Sequence, residues 1–243
     1  MKKYELTEKT KIVKGVTLYR IKAVQDFRDV CAGDLGGFVE NESNLSQSGY
    51  AWVYGDALVS GDAQVSGDAQ VSGNARVRGN AQVCGNAQVY GDAWVAGDAQ
   101  VYGDARVCGD AWVYGDARVL GNALVCGNAQ VYGDACVYDN AQVYGDAWVY
   151  GDARVSGNAR VSGDALVSGN ARVSGDADYI VFKNWWSSGR YFTWTRSNNK
   201  WRVGCFYGSG DELIAKAYKD SEKSGREYER VVRYVEEILK DNK

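Results

Sequence analysis

The chain of 243 residues has no histidine and no proline. Without His there is no imidazole to serve as a general base or as a zinc ligand. Average usage would supply about a dozen prolines in this length. Proline lacks the N–H that a β-ladder needs, so its absence fits a chain that is mostly one continuous ladder. No window approaches the roughly 18 apolar residues of a membrane span. The segment Met1 to Gly15, MKKYELTEKTKIVKG, has basic residues but no apolar run and is not expected to be a signal peptide. A formal net charge of -3 is too small to draw the chain to a membrane or to nucleic acid. Six cysteines without an export signal are expected to be reduced thiols in a cytoplasm.

What is present is a repeat. From Ala51 to Ala177 the chain reads A-x-V-x-G-[D/N] without insertion, with Val at every sixth position from Val53 to Val173. Ala fills every slot, and Gly fails once, at Asp139. In a strand, side chains alternate between faces, so Ala and Val share one side and the variable residues take the other. The variable residues are mostly Gln, Arg, Ser, Tyr and Trp, so Ala and Val face inward. Gly with Asp or Asn turns each corner, because these residues tolerate the backbone angles of tight turns. A two-residue corner excludes a helical crossover, and hairpins would not give every segment the same inward pattern. A triangular coil of three hexads satisfies both constraints and gives seven coils, about 34 Å long at the ladder spacing.

The V-x-G-[D/N]-A-x pattern resembles the hexapeptide repeat of left-handed β-helix proteins. That resemblance covers 51–177 and implies an all-β solenoid with left-handed coils; the spacing alone does not give the hand. Both ends differ from the repeat. Residues 1–50 are expected to form a cap and a degenerate first coil, with strands Thr10–Val13 and Val16–Val24 around a Lys14-Gly15 turn. In that coil Val39 and Leu45 fall in phase with the Ala slots. The repeat domain spans 51–178. Residues 179–243 read as an α+β module: strands over Tyr179–Trp186, Arg190–Thr195 and Lys200–Tyr207, then a helix capped by Asp211, a break at Ser224-Gly225 and a second helix. GDLGGFVENESNLS and WRVGCFYGSGDELIAKAY look like the ends of hexapeptide-repeat proteins encoded by phages and prophages. That likeness implies no established activity.

Many left-handed β-helix proteins transfer acyl groups, typically with a catalytic His and an extruded loop. This chain has neither, and it also lacks the His ligands of a γ-type carbonic anhydrase. No enzyme activity and no cofactor are expected. The corner columns hold 13 Asp and 8 Asn. They lack the nonapeptide pattern of calcium β-rolls and are read as turn formers, with Asn diluting like-charge repulsion, so no metal is expected. The cysteines form no C-x-x-C pair. Cys108 and Cys126 stack outward on adjacent coils and are read as replaceable surface residues. The solenoid's 14 Asp against 7 Arg is a mild excess with Arg interspersed, so duplex mimicry and nucleic-acid partners are set aside.

Sorting the outward residues by face is more informative. The second face carries Leu58/Ser60, Arg76/Arg78, Trp94/Ala96, Trp112/Tyr114, Gln130/Tyr132, Trp148/Tyr150 and Leu166/Ser168. Trp94, Trp112, Tyr114, Tyr132, Trp148 and Tyr150 thus gather on its middle coils. Aromatics bury about 150–250 Å² each, so the six exceed the patch that monomers usually expose. The expected function is a non-enzymatic scaffold, homodimeric through this face. With the phage resemblance, it becomes a cytoplasmic accessory protein that binds and inhibits a host factor, such as a defence component. The alternatives are a structural or polymer-forming protein, and a small-molecule binder with a cleft at the C-terminal module. That cleft would use Trp185, Trp186, Arg190, Trp194, Trp201 and Arg202, whose bland reading is the core of a small sheet.

Overall fold

The computed structural model describes residues 2–184 and 188–241. The repeat folds as a β-solenoid of about eight turns, with three parallel sheets along its sides. Pairing follows the 18-residue coil: Trp94 lies beside Trp112, Gln88 beside Arg106 and Gln100 beside Arg118. In their repeat slots every Ala from Ala51 to Ala171 and every Val from Val53 to Val173 is fully buried, forming one narrow core down the axis. At the corners, Gly55 to Gly169 hold φ between +60° and +77°. Gly103 shows why the slot is specific, since a Cβ there would lie 3.0 Å from the backbone N and O of Gly121 on the next coil. The neighbouring Asp104 N–H donates to the Gly121 carbonyl at 2.8 Å, so the ladder continues through the corner.

The Asx columns behave as the sequence implies. Side-chain amides of Asn74, Asn80, Asn86 and Asn128 donate to Asp92, Asp98, Asp104 and Asp146 one coil on, at 2.8–3.0 Å. Each Asn therefore replaces a carboxylate–carboxylate contact by a hydrogen bond. Two cysteine expectations need correction. Cys108 and Cys126 are joined as a disulfide, and Cys108 is buried. Their Cα atoms are 4.7 Å apart, so ladder spacing alone brings stacked cysteines within disulfide reach. Cys31, Cys84, Cys136 and Cys205 are free thiols.

At the N-terminal end, strands β1 (Tyr4–Val13) and β2 (Val16–Ala23) form the expected hairpin. They continue through β3 (Leu35–Val39) into the sheet of the second face. The first coil is not in the expected phase. Val39 pairs with Val59 and Leu45 bridges Val65, so both occupy Val slots. That coil is two residues longer than the others, and the extra residues fall between Leu45 and Val53. Asn44 is buried in it and donates to the carbonyls of Gly61 and Ala63. The open end is plugged by Lys3 and Tyr4. Lys3 Nζ donates to the Ala51 carbonyl at 2.8 Å, and Tyr4 Oη donates to that of Leu45 at 2.7 Å. Trp52, in one of the repeat's variable and therefore outward slots, is 1% exposed because Tyr4 and Phe27 cover it.

The C-terminal module has four antiparallel strands rather than three: Tyr179–Lys183, Tyr191–Thr195, Lys200–Val203 and Phe206–Gly208. Two helices follow, α1 (Gly210–Asp220) and α2 (Glu222–Asp241). Ser209, not Asp211, caps α1; its hydroxyl accepts from the Glu212 N–H while the Glu212 carboxylate accepts from the Ser209 N–H. The break between the helices falls at Ser221, and α2 runs through Ser224-Gly225. Gly225 allows Tyr218 to lie against the helix, because a Cβ there would be 2.2 Å from the ring. Tyr179 and Val181 pack on the end of the solenoid core, so the module caps it. No helix among the described residues is long and apolar enough to cross a membrane.

Candidate docking face

Five of the six aromatics singled out on the second face are brought together as two ring columns. Trp94 and Trp112 stack with centroids 5.0 Å apart and planes at 13°. Tyr114, Tyr132 and Tyr150 form a second column, with spacings of 4.8 and 5.0 Å and planes within 5°. The columns touch edge to face where Trp112 meets Tyr114, and Trp148, separated from Trp112 by Gln130, meets Tyr132 edge to face. Parallel in-register pairing creates this: the same outward slot on successive coils is one ladder spacing apart, close to the thickness of stacked rings.

The arrangement fixes what the face offers. Within the stacked pairs ring faces meet neighbouring rings, so the stacked part of the surface presents a comb of ring edges and phenol tips. Trp112 is 43% exposed and Trp148 39%, high values for indoles in a regular sheet. Burial pushes the phenol of Tyr132 up to about 12, with Tyr150 and Tyr114 adding to the shift, and raises that of Tyr114 as well. The phenols of Tyr114 and Tyr132 are thus uncharged at neutral pH.

Both terminal units frame this comb. Leu18 and Phe38 cover Leu58 at its N-terminal edge, and Lys14 at the hairpin tip lies 5.7 Å from the Trp94 ring centre. Arg76 and Arg78 also lie over that ring, at 5.2 and 4.5 Å. At the other edge Arg202 lies 5.4 Å from the centre of Tyr150. Each column therefore ends on cations. The Arg76/Arg78 pair was visible in the face-two residues, one coil before Trp94. Nothing in the sequence pattern placed Lys14 or Arg202 there.

The second set of predicted residues does not assemble into a surface. Trp194 and Trp201 are each 2% exposed, in the core that the small sheet forms with α1 and α2. The Trp194 indole donates to Asn199 at 2.9 Å. These indoles are core, because a four-stranded sheet with two helices needs large apolar side chains on its inner face. Arg190 is exposed in a loop and Arg202 joins the second face instead. Trp185 and Trp186 lie outside the described residues. The module does hold a 570 Å³ apolar cavity, between the first strand of its sheet and α2, lined by Ile180, Phe182, Val231 and Tyr234. Of the predicted residues that are described, Arg190, Trp194, Trp201 and Arg202, none lines it. Among the described residues no three His, Cys, Asp or Glu side chains cluster as a metal site.

Comparison with known proteins bears on the repeat. Residues 51–67, 69–85, 81–97, 99–115, 111–127, 129–145, 141–157 and 153–169 match the family described as YdcK Beta solenoid repeat. The coils are similar to YdcK-type coils. The chain is also 39% identical over 62 residues to the protein named "Uncharacterized acetyltransferase YdcK" of Escherichia coli strain K12. The match takes in 22% of this chain and 19% of that protein, so the chain spans about a fifth of the relative's length. Both matches support a hexapeptide-repeat-like β-helix.

Proposed function

We propose that the protein is a non-enzymatic scaffold that pairs with a second copy of itself through the middle coils of the second face. The observation that carries this reading is the uncharged comb of ring edges from Trp112 to Tyr150, exposed on a flat and regular sheet. Two such combs complement each other across a two-fold axis, the commonest symmetry of homo-oligomers.

The relative's name points to acetyl transfer. Against that for this chain stand the absence of any His and a run of hexads with no extruded loop. A paired solenoid leaves both terminal units free. The likeness of those ends to phage and prophage proteins favours a host protein as their target, the inhibition of a defence factor in a bacterial cytoplasm being the form this takes. The test is light scattering after gel filtration on the wild type and on Trp112→Arg. The reading expects a wild-type dimer of twice 26.5 kDa and a folded monomeric variant. A monomeric wild type, or a variant that stays dimeric, overturns it.

A further inference from the structure

On the N-terminal side of the exposed ladder the second face holds a separate cavity of 370 Å³. Its floor is apolar, formed by Leu18 of β2 and Leu58, which share a small core with Phe38. Its rim is cationic: Lys14, Arg76 and Arg78 all line it, and all three converge on the ring of Trp94. None of the three makes an ion pair or a side-chain hydrogen bond with the described residues. One carboxylate, Glu40, lines the same wall; its Oε2 accepts from the Gly61 N–H at 2.7 Å, and its single charge leaves the rim with an excess of two cations.

One indole and one carboxylate do not balance three cations. The indole's interaction with each is modest at an exposed site, and the cations repel one another. Arg76 and Arg78 stand two apart on one strand, so both guanidinium forks leave the same face, a geometry suited to planar or tetrahedral oxyanions. The cavity volume falls in the range of small-molecule sites. The geometry points to a binding site for a small amphiphilic anion, a carboxylate or phosphate monoester seated among Lys14, Arg76 and Arg78 with its apolar body on Leu18 and Leu58. This site adjoins the pairing surface and shares Trp94 with its indole column, but its cations and its apolar floor lie outside the comb from Trp112 to Tyr150.

Isothermal titration of the full chain with phenyl phosphate and with 4-phenylbutyrate tests the assignment, with inorganic phosphate and benzyl alcohol as the two half-ligands. At least one of the whole ligands should bind saturably with a dissociation constant of about 1 mM or tighter. Each half-ligand should bind at least about tenfold more weakly. The double variant Arg76→Gln/Arg78→Gln should lose at least about tenfold in affinity while keeping its melting temperature and its gel-filtration mass. No saturable binding, equal binding of inorganic phosphate alone, or full affinity in the double variant would overturn the proposal. Retention of mass in the variant separates failure here from failure of the dimer reading.

Discussion

Asp139 occupies the Gly slot of a corner and is held at φ +60°, where every neighbouring corner has glycine. A β-carbon in this region costs about 1 kcal/mol, less for Asp than for most residues. Its carboxylate returns part of that cost by accepting from the Gly157 N–H at 3.2 Å. Asp139→Gly is therefore expected to stabilise the solenoid by about 0.5–1 kcal/mol in denaturant unfolding. The converse change, Gly103→Ala, adds both the left-handed penalty and contact with the Gly121 backbone at 3.0 Å. It should cost about 2 kcal/mol or more. Equal stability of Gly103→Ala and wild type would show that the corner tolerates a side chain.

At the scale of elements, the N-terminal plug should make stability depend on pH. Burial lowers the Lys3 ammonium to about 8, with Asp68 opposing the shift. The folded state thus releases its proton before the unfolded chain does, and stability rises with pH from about 8 up to the ordinary lysine value near 10.5. Tyr54 and Tyr132 work in the opposite sense. Both phenols are raised to about 12, mainly by burial, so the stability they contribute is present below pH 10 and is lost as pH climbs through 12. Unfolding midpoints should peak between about pH 9 and 10; a monotonic fall from pH 7 would contradict the Lys3 assignment. The disulfide offers a second test at this scale. Four thiols should titrate in unreduced denatured protein and six after reduction, because only Cys108 and Cys126 are paired. Opening that loop should cost about 3 kcal/mol, the chain entropy that an 18-residue crosslink removes from the unfolded state.

The same elements show how far the sequence could be read. Strict hexads gave the three faces, the buried Ala and Val columns and the grouping of Trp94 through Tyr150, because a repeat without insertions fixes register. Phase was lost where the repeat degenerates. Val39 and Leu45 sit in Val slots only because the first coil carries two extra residues, and no local pattern marks that insertion. Trp194 and Trp201 carried no sign distinguishing core from surface, since in short strands aromatic content looks the same for both. Lys14 and Arg202 reach the docking face only through tertiary packing of the two terminal units.

For the whole molecule, the central claim is that an uncharged aromatic comb, flanked by acidic corner columns, is where two copies meet. The solenoid carries an excess of Asp over Arg, so two approaching copies repel through their corners while the ring edges attract. Added salt screens the first term and leaves the second, so dimerisation should be unchanged or strengthened as salt rises from about 0.05 to 0.5 M. Dissociation over that range would mean that ion pairs hold the interface. The most direct test is hydroxyl-radical footprinting across a dilution series, reading oxidation at Trp112 and Trp148. The account predicts several-fold protection of both indoles as concentration rises, with Tyr102 and Tyr144, similarly exposed on the other two faces, unaffected. Equal oxidation of Trp112 and Trp148 at every concentration, or protection that falls on Tyr102 or Tyr144 instead, would contradict it.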